Sequence, residues 1–214
     1  MLQSLLALAH PLLVPAFTAW GVPMTWIEIV AFVVSLWMVG CEMRVHVLAW
    51  PLAMLSSLLY ALLFADSKLY GEASLQLFFV AMSLWGGWQW LRGRGADGHA
   101  LVVHTLPRRT MAIALVLALL AWPLAGWLLR RYTDSDVPWL DALPTVGSIL
   151  GTWLLGRKFI ENWAVWIAVN AFSVALFGFK HLWLTVILYA LFTILSWVGW
   201  RAWRRMQGRA DARH

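Results

Sequence analysis

One stretch of this chain puts chemically useful side chains where an apolar helix would hold them. In ENWAVWIAVNAFSVALF, residues 161–177, Trp163, Trp166, Asn170, Ser173 and Phe177 recur at i, i+3, i+7, i+10 and i+14. On a helix of 3.6 residues per turn these positions share one face. Two indoles, a carboxamide and a phenyl ring in a line can stack on a flat ring and hydrogen-bond its polar substituent. The same residues can also be packing. An indole near a helix end, as at Trp163, suits an aromatic belt at the headgroup level. A mid-helix Asn170 suits an interhelical hydrogen bond, worth about 0.6 kcal/mol. Trp166 lies one turn deeper on the Asn170 face, which favours a lining role.

The elements that must position these residues are apolar. The 214-residue chain is 62% hydrophobic and 12% charged, with a mean hydropathy of +0.74. Soluble domains carry about 25% charged residues, so an all-α integral membrane protein is expected. The net charge of +6 does not point to nucleic acid, because the basic residues sit in short loops and a tail between apolar runs. A single cysteine, Cys41, excludes an intrachain disulfide and a cysteine-based zinc cluster. No two of His10, His46, His99, His104, His181 and His214 stand at i, i+3 or i+4 within an apolar helix. With no nucleophile motif and no phosphate loop, neither an enzyme nor a cofactor is expected. The N-terminus has no basic region before its apolar residues, so no cleaved signal peptide is read there.

Residues 2–20 are broken by His10, Pro11 and Pro15, and read as a short or kinked N-terminal helix within residues 1–23. Seven further segments approach the ~20 residues needed to span a bilayer. They are 24–42, 47–66, 70–91, 110–130, 138–156, 161–179 and 181–200. The organisation is then a first three-helix bundle at 24–91, a loop and linker helix at 92–137, a second bundle at 138–200 and a basic tail at 201–214. The Gly-rich, charged segment 92–109 is expected to be a solvated connection. With the tail placed in the cytoplasm, that side holds 12 of the 16 Lys and Arg residues and the other side holds 4. The C-terminus is therefore expected inside.

The chain also repeats itself. At an offset of 113, Trp26 meets Trp139, Glu28 meets Asp141, Ser35 meets Ser148, Arg44 meets Arg157, Trp50 meets Trp163 and Ser83 meets Ser196. Beyond Ser83 an offset of 112 aligns Trp85, Gly87 and Trp88 with Trp197, Gly199 and Trp200. Each repeat holds three helices, and 110–130 has no counterpart. That odd linker helix restores the direction, so the expected architecture is 3+1+3 transmembrane helices in two parallel three-helix repeats. Parallel repeats are a transporter architecture, with substrate held near the midplane at the repeat interface.

The motifs W50-P-L…Y60-A-L-L-F-A-D-S-K68-L-Y-G71-E-A-S-L-Q76, W85-G-G-W-Q-W90, R157-K-F-I-E-N-W163-A-V-W166-I-A-V-N170, K180-H-L-W183-L-T and G199-W200 resemble the PnuC-type vitamin transporters over residues 24–205. The resemblance implies a SWEET-like fold in the bacterial inner membrane. It also implies uptake of nicotinamide riboside, an NAD precursor, by facilitated diffusion, with a cytosolic kinase trapping the substrate and a possible homo-oligomer. Related members take other B vitamins, so thiamine and riboflavin are alternative substrates. A non-transporting membrane receptor is the alternative of a different class. The family's first repeat often carries an asparagine after its Trp-Pro pair, where this chain has Ser56 or Ser57.

The candidate substrate-binding residues are Trp50, Ser57, Gln76, Trp163, Trp166, Asn170, Phe177, Trp183 and Tyr189, with no catalytic residue and no metal ligand. Trp50, Ser57 and Phe64 fall at the repeat positions of Trp163, Asn170 and Phe177. Gln76 and Tyr189 are equivalent polar residues within the spans, suited to ribose hydroxyls. Trp183 and its equivalent Tyr70 stand near the outer boundary, as belt anchors or an outer gate. A cationic nicotinamide ring suits indole faces, where a cation gains about 0.5–2 kcal/mol.

Overall fold

The computed structural model describes residues 10–19, 21–66, 70–95, 98–133, 137–179 and 183–211. Among them run seven long helices: α1 (Trp26–Met43), α2 (Ala49–Asp66), α3 (Tyr70–Arg92), α4 (Arg108–Tyr132), α5 (Pro138–Gly156), α6 (Glu161–Phe179) and α7 (Trp183–Asp211). Each corresponds to one of the apolar segments. The main difference lies at the end of the chain, where α7 runs through the first part of the basic tail. Trp26–Met43, Ala49–Asp66, Arg108–Tyr132 and Val186–Gly208 are long and apolar enough to cross a membrane by length and composition. On α4 the side chains of Ile113, Leu117, Leu120 and Leu124 are exposed, which suits hydrocarbon rather than water as their solvent.

The N-terminal expectation holds only in part. Residues 10–13 make a helical turn, but the chain then forms an antiparallel hairpin, β1 (Pro15–Ala19) with β2 (Val22–Thr25), instead of continuing as a helix. Pro15 and Pro23 cannot donate to a helical ladder, and Gly21 turns the chain at φ 79°. Thr25 then starts α1 with a capping box. Its hydroxyl oxygen accepts from the Glu28 N–H at 3.4 Å, and the Glu28 carboxylate accepts from the Thr25 N–H at 2.7 Å. Glu28 is thus used up in local structure.

The chain forms two compact units, Met1–Gly87 and Trp88–His214. In the first, Val34, Cys41, Ala49 and Leu52 form a buried cluster joining α1 to α2. Ser35 Oγ donates to the Ala31 carbonyl at 2.8 Å and stands 2.7 Å from Ser56 Oγ. The Ser35 proton being used, Ser56 is the donor of the second bond. The buried Trp50 ring lies over Gly86 and Gly87; a Cβ on Gly87 would come within 3.2 Å of Trp50 Cβ. In the second unit the Trp163 ring lies over Gly199 in the same way, and Trp122 Nε1 donates to the Trp139 carbonyl at 2.9 Å, fastening α4 to α5.

These contacts revise the repeat register. Trp50 sits on Gly86 and Trp163 on Gly199, so the offset of 113 continues past Ser83. Trp90 and Trp203, both buried, extend it further. The offset of 112 came from matching a dense run of Trp and Gly by residue type. The glycine that receives the indole is the better marker.

The two repeats also share the bonds that close their corners. After α1 the His46 N–H donates to the Cys41 carbonyl (2.9 Å) and the Val45 N–H to Glu42 (3.0 Å). After α5 the Phe159 N–H donates to Leu154 (3.0 Å) and the Lys158 N–H to Leu155 (2.9 Å). Both are Schellman caps. Their left-handed residues are not glycines but Val45 at φ 55° and Lys158 at φ 60°.

Segment 92–109 is not simply solvated. Leu101 and Leu106 are buried. Lys158 Nζ donates to the Leu101 carbonyl at 2.9 Å, and the Glu161 carboxylate accepts from the Leu106 N–H at 2.9 Å. His104 bridges to the α5–α6 corner through its N–H to the Lys158 carbonyl (3.2 Å) and its own carbonyl from the Ile160 N–H (3.0 Å). The segment is thus a strap tied across that corner. The equivalents of Lys158 and Glu161 in the first repeat are Val45 and Leu48, which have no charged group to offer a second strap. Burial lowers the Lys158 ammonium below the usual lysine range, while the Trp90 ring stands 5.2 Å below it. Lys158→Met keeps the aliphatic stem and removes the donor. Hydrogen exchange is expected to quicken several-fold at Leu106 and Ile160, with helix amides unchanged; unchanged strap amides would show that the Lys158 bond holds nothing.

Candidate functional site

The polar centre of the second unit lies where α6 meets α7. Asn170 is buried, about halfway along α6. Its Nδ2 donates to Ser196 Oγ at 3.3 Å, and Ser196 Oγ donates to the Phe192 carbonyl at 2.8 Å. A polar group at that depth needs such a partner. Ser173, on the same face of α6, is fully buried. Trp166, one turn before Asn170, is half-buried and reaches over Gly151 of α5; a Cβ there would stand 3.0 Å from Trp166 Cε2. The small residue at 151 is what lets this indole lie close to α5.

Trp163 is placed differently from either sequence expectation. It is 1% exposed, with its ring over Gly199 and edge-on to Trp203 at 5.7 Å and 87°. An indole packed on all sides serves neither as a headgroup belt nor as an open stacking face. Its Nε1 has no hydrogen-bond partner among the described residues. Trp50 is likewise buried, on Gly86. Both repeat-related tryptophans are therefore helix-packing anchors in this conformation.

The remaining candidates are less enclosed. Ser57 and Gln76 are half-buried, while the neighbouring Ser56 is buried on Ser35. Tyr189 is half-buried and edge-on to Phe192 at 6.4 Å and 84°. The side chains of Phe177 and Trp183 lie outside the described residues.

Several contributors were missed in the sequence. Ser196 emerged only as a repeat match, with no sign that it would meet Asn170. Gly151 and Gly199 each receive one named indole, which residue type alone did not announce. At the corner end, Trp90 Nε1 donates to the Leu155 carbonyl at 3.0 Å, and the Trp90 ring lies 6.3 Å from Trp203. Asn162 there is fully buried and donates to the Phe159 carbonyl at 2.6 Å. A signal was available at Trp90 and Trp203, which match at offset 113.

Long apolar helices with small-residue contacts and one buried amide–hydroxyl pair define a multi-pass helical membrane protein with a compact polar centre. Residues 25–205 match the family model described as "Nicotinamide mononucleotide transporter", and the chain belongs to that family. Among its relatives, the nicotinamide riboside transporter PnuC of Escherichia coli is 23% identical, over 86% of this chain and 87% of that protein. The riboflavin/roseoflavin transporter RibM of Streptomyces davaonensis is 26% identical, over 92% and 93% respectively. The nicotinamide riboside transporter PnuC of Neisseria mucosa is 25% identical, over 83% and 73%. A crystal structure of the vitamin B3 transporter PnuC matches the fold with a TM-score of 0.70 at 23% identity, covering 86% of this chain and 83% of that one.

Proposed function

We propose that this chain carries nicotinamide riboside across the bacterial inner membrane by facilitated diffusion. The observation that carries this reading is the buried Asn170–Ser196 pair beside Trp166, in a chain of this family. A nicotinamide ring offers a flat cationic face to an indole and a carboxamide to an amide side chain, which has both donors and an acceptor. Tyr189 in the second unit, and Ser57 and Gln76 in the first, are the polar candidates for ribose hydroxyls. Phe177 and Trp183 complete the proposed set on sequence grounds, while Trp50 and Trp163 act by holding helices.

The proposed arrangement is 3+1+3, with α1–α3 and α5–α7 as parallel repeats and α4 as linker. The C-terminus is placed in the cytoplasm by the 12-to-4 split of basic residues. No coupling group is assigned, so accumulation would come from a cytosolic kinase that traps the riboside. A homo-oligomer is compatible with the exposed apolar side chains of α4.

Riboflavin is the second reading, favoured by the 26% identity to RibM over 92% of this chain. The deciding experiment is a binding panel of nicotinamide riboside, nicotinamide, thiamine and riboflavin, followed by tryptophan quenching and calorimetry on purified protein. Quenching by the riboside, and not by thiamine or riboflavin, is expected. Tight riboflavin binding with no riboside response would transfer the assignment, and no response to any ligand from folded protein would favour a receptor.

A further inference from the structure

The hydrogen bonds around Ser196 decide which way Asn170 faces. A serine hydroxyl has one hydrogen. Ser196 Oγ lies 2.8 Å from the Phe192 carbonyl, which can only accept, so that hydrogen is used there. Toward Asn170, 3.3 Å away, Ser196 Oγ can then only accept. The carboxamide must therefore turn its NH2 to Ser196 and its oxygen away. That oxygen has no hydrogen bond among the described residues, and it is not sealed from solvent as the Asn162 carboxamide oxygen is.

We infer that Ser196 is a positioning residue that aims the Asn170 carbonyl oxygen at the ligand, and so selects ligands presenting an N–H or O–H donor there. Applied to pyridine ribosides, the pair favours a neutral carboxamide and disfavours a carboxylate, which would meet a fixed acceptor with another acceptor. This inference rests on the proposed transport of a nicotinamide-class riboside. It locates the selection in the second unit, because the equivalent positions of the first are Ser57 and Ser83, with no amide. A hydroxyl at 57 can present a donor or an acceptor, whereas the amide at 170 is held one way.

The test compares nicotinamide riboside with nicotinic acid riboside on the full-length purified chain, by calorimetry and tryptophan quenching. The unmodified chain is expected to prefer the amide by about 10-fold or more, the scale of a hydrogen bond left unmade at a buried site. In Ser196→Ala the carboxamide is free to rotate, and the preference is expected to fall to within about 3-fold, chiefly through better binding of the acid. Ser196→Thr keeps both the hydroxyl and its bond to Phe192, and should restore the preference. Ser196→Cys keeps the volume but accepts poorly, should give an intermediate ratio, and serves if the alanine variant does not fold. A folded Ser196→Ala or Ser196→Cys protein that keeps the original ratio, or loses both ligands equally, overturns the positioning role. An unmodified chain that binds both ribosides equally overturns it while leaving the proposed transport intact. An unmodified chain that binds neither removes both.

Discussion

Trp163→Ala is expected to lower stability by about 3–5 kcal/mol, the usual cost of emptying a large aromatic site in a packed interior. The ring is 1% exposed and fills the space over Gly199, with Trp203 standing edge-on against it. The facing glycine tests the same contact from the other side. A Cβ at position 199 would stand 2.5 Å from the indole, and Trp163 has nowhere to retreat, so Gly199→Ala should cost about 1–3 kcal/mol by overpacking. Trp163→Phe keeps a ring over Gly199 and removes an N–H with no partner among the described residues, so it should be much milder than alanine. Thermal unfolding of the purified protein ranks the three. If Trp163→Phe left the melting temperature intact but abolished riboside quenching, the indole would be a ligand surface after all.

Asn170→Leu, which keeps the number and branching of side-chain heavy atoms, should fold and lose most of its affinity for riboside. The substitution removes the carboxamide that meets Ser196 while leaving Ser196 bonded to Phe192 at 2.8 Å. Ser196 is therefore not orphaned, and the structural loss stays within about 0.6 kcal/mol, the mean for an interhelical polar bond in a membrane protein. A ligand carboxamide facing leucine instead keeps an unmade hydrogen bond, costing about 1–3 kcal/mol, or roughly 5- to 150-fold in Kd. The two effects differ enough to separate by measuring melting temperature and Kd on one preparation. Binding that survives unchanged would make Asn170 a purely structural residue.

Helix positions were legible in the sequence because hydrocarbon demands long apolar runs, and those runs are hard to miss. The ends were less so. Glycine is the usual signal of a Schellman cap, but here the left-handed positions are Val45 and Lys158, so nothing in the residue types announced them. The N-terminal hairpin was misread because Pro11 and Pro15 kink a helix and open a strand with equal ease. The strap was misread because Gly and Arg dominate its composition, and the ties that bury it come from Lys158 and Glu161, more than 50 residues later. At the centre, spacing put Trp163, Trp166 and Asn170 on one stretch of helix, where Trp163 and Asn170 meet α7 and Trp166 reaches α5. It could not say that Trp163 would meet a glycine and Asn170 a serine, because those partners lie on another helix.

The paired corners carry a consequence for how such a chain can change. At 45–50 the residues are Val-His-Val-Leu-Ala-Trp, and at 158–163 Lys-Phe-Ile-Glu-Asn-Trp; only the tryptophan is the same. The two capping bonds and the two bonds that open the next helix are nevertheless reproduced. The shape is therefore written into main-chain atoms and one anchored ring, and the intervening side chains are spare. A molecule with two copies of such a joint can leave one plain and let the other acquire new attachments without risking the fold. The second copy has done so, since its lysine and glutamate tie down the connecting segment.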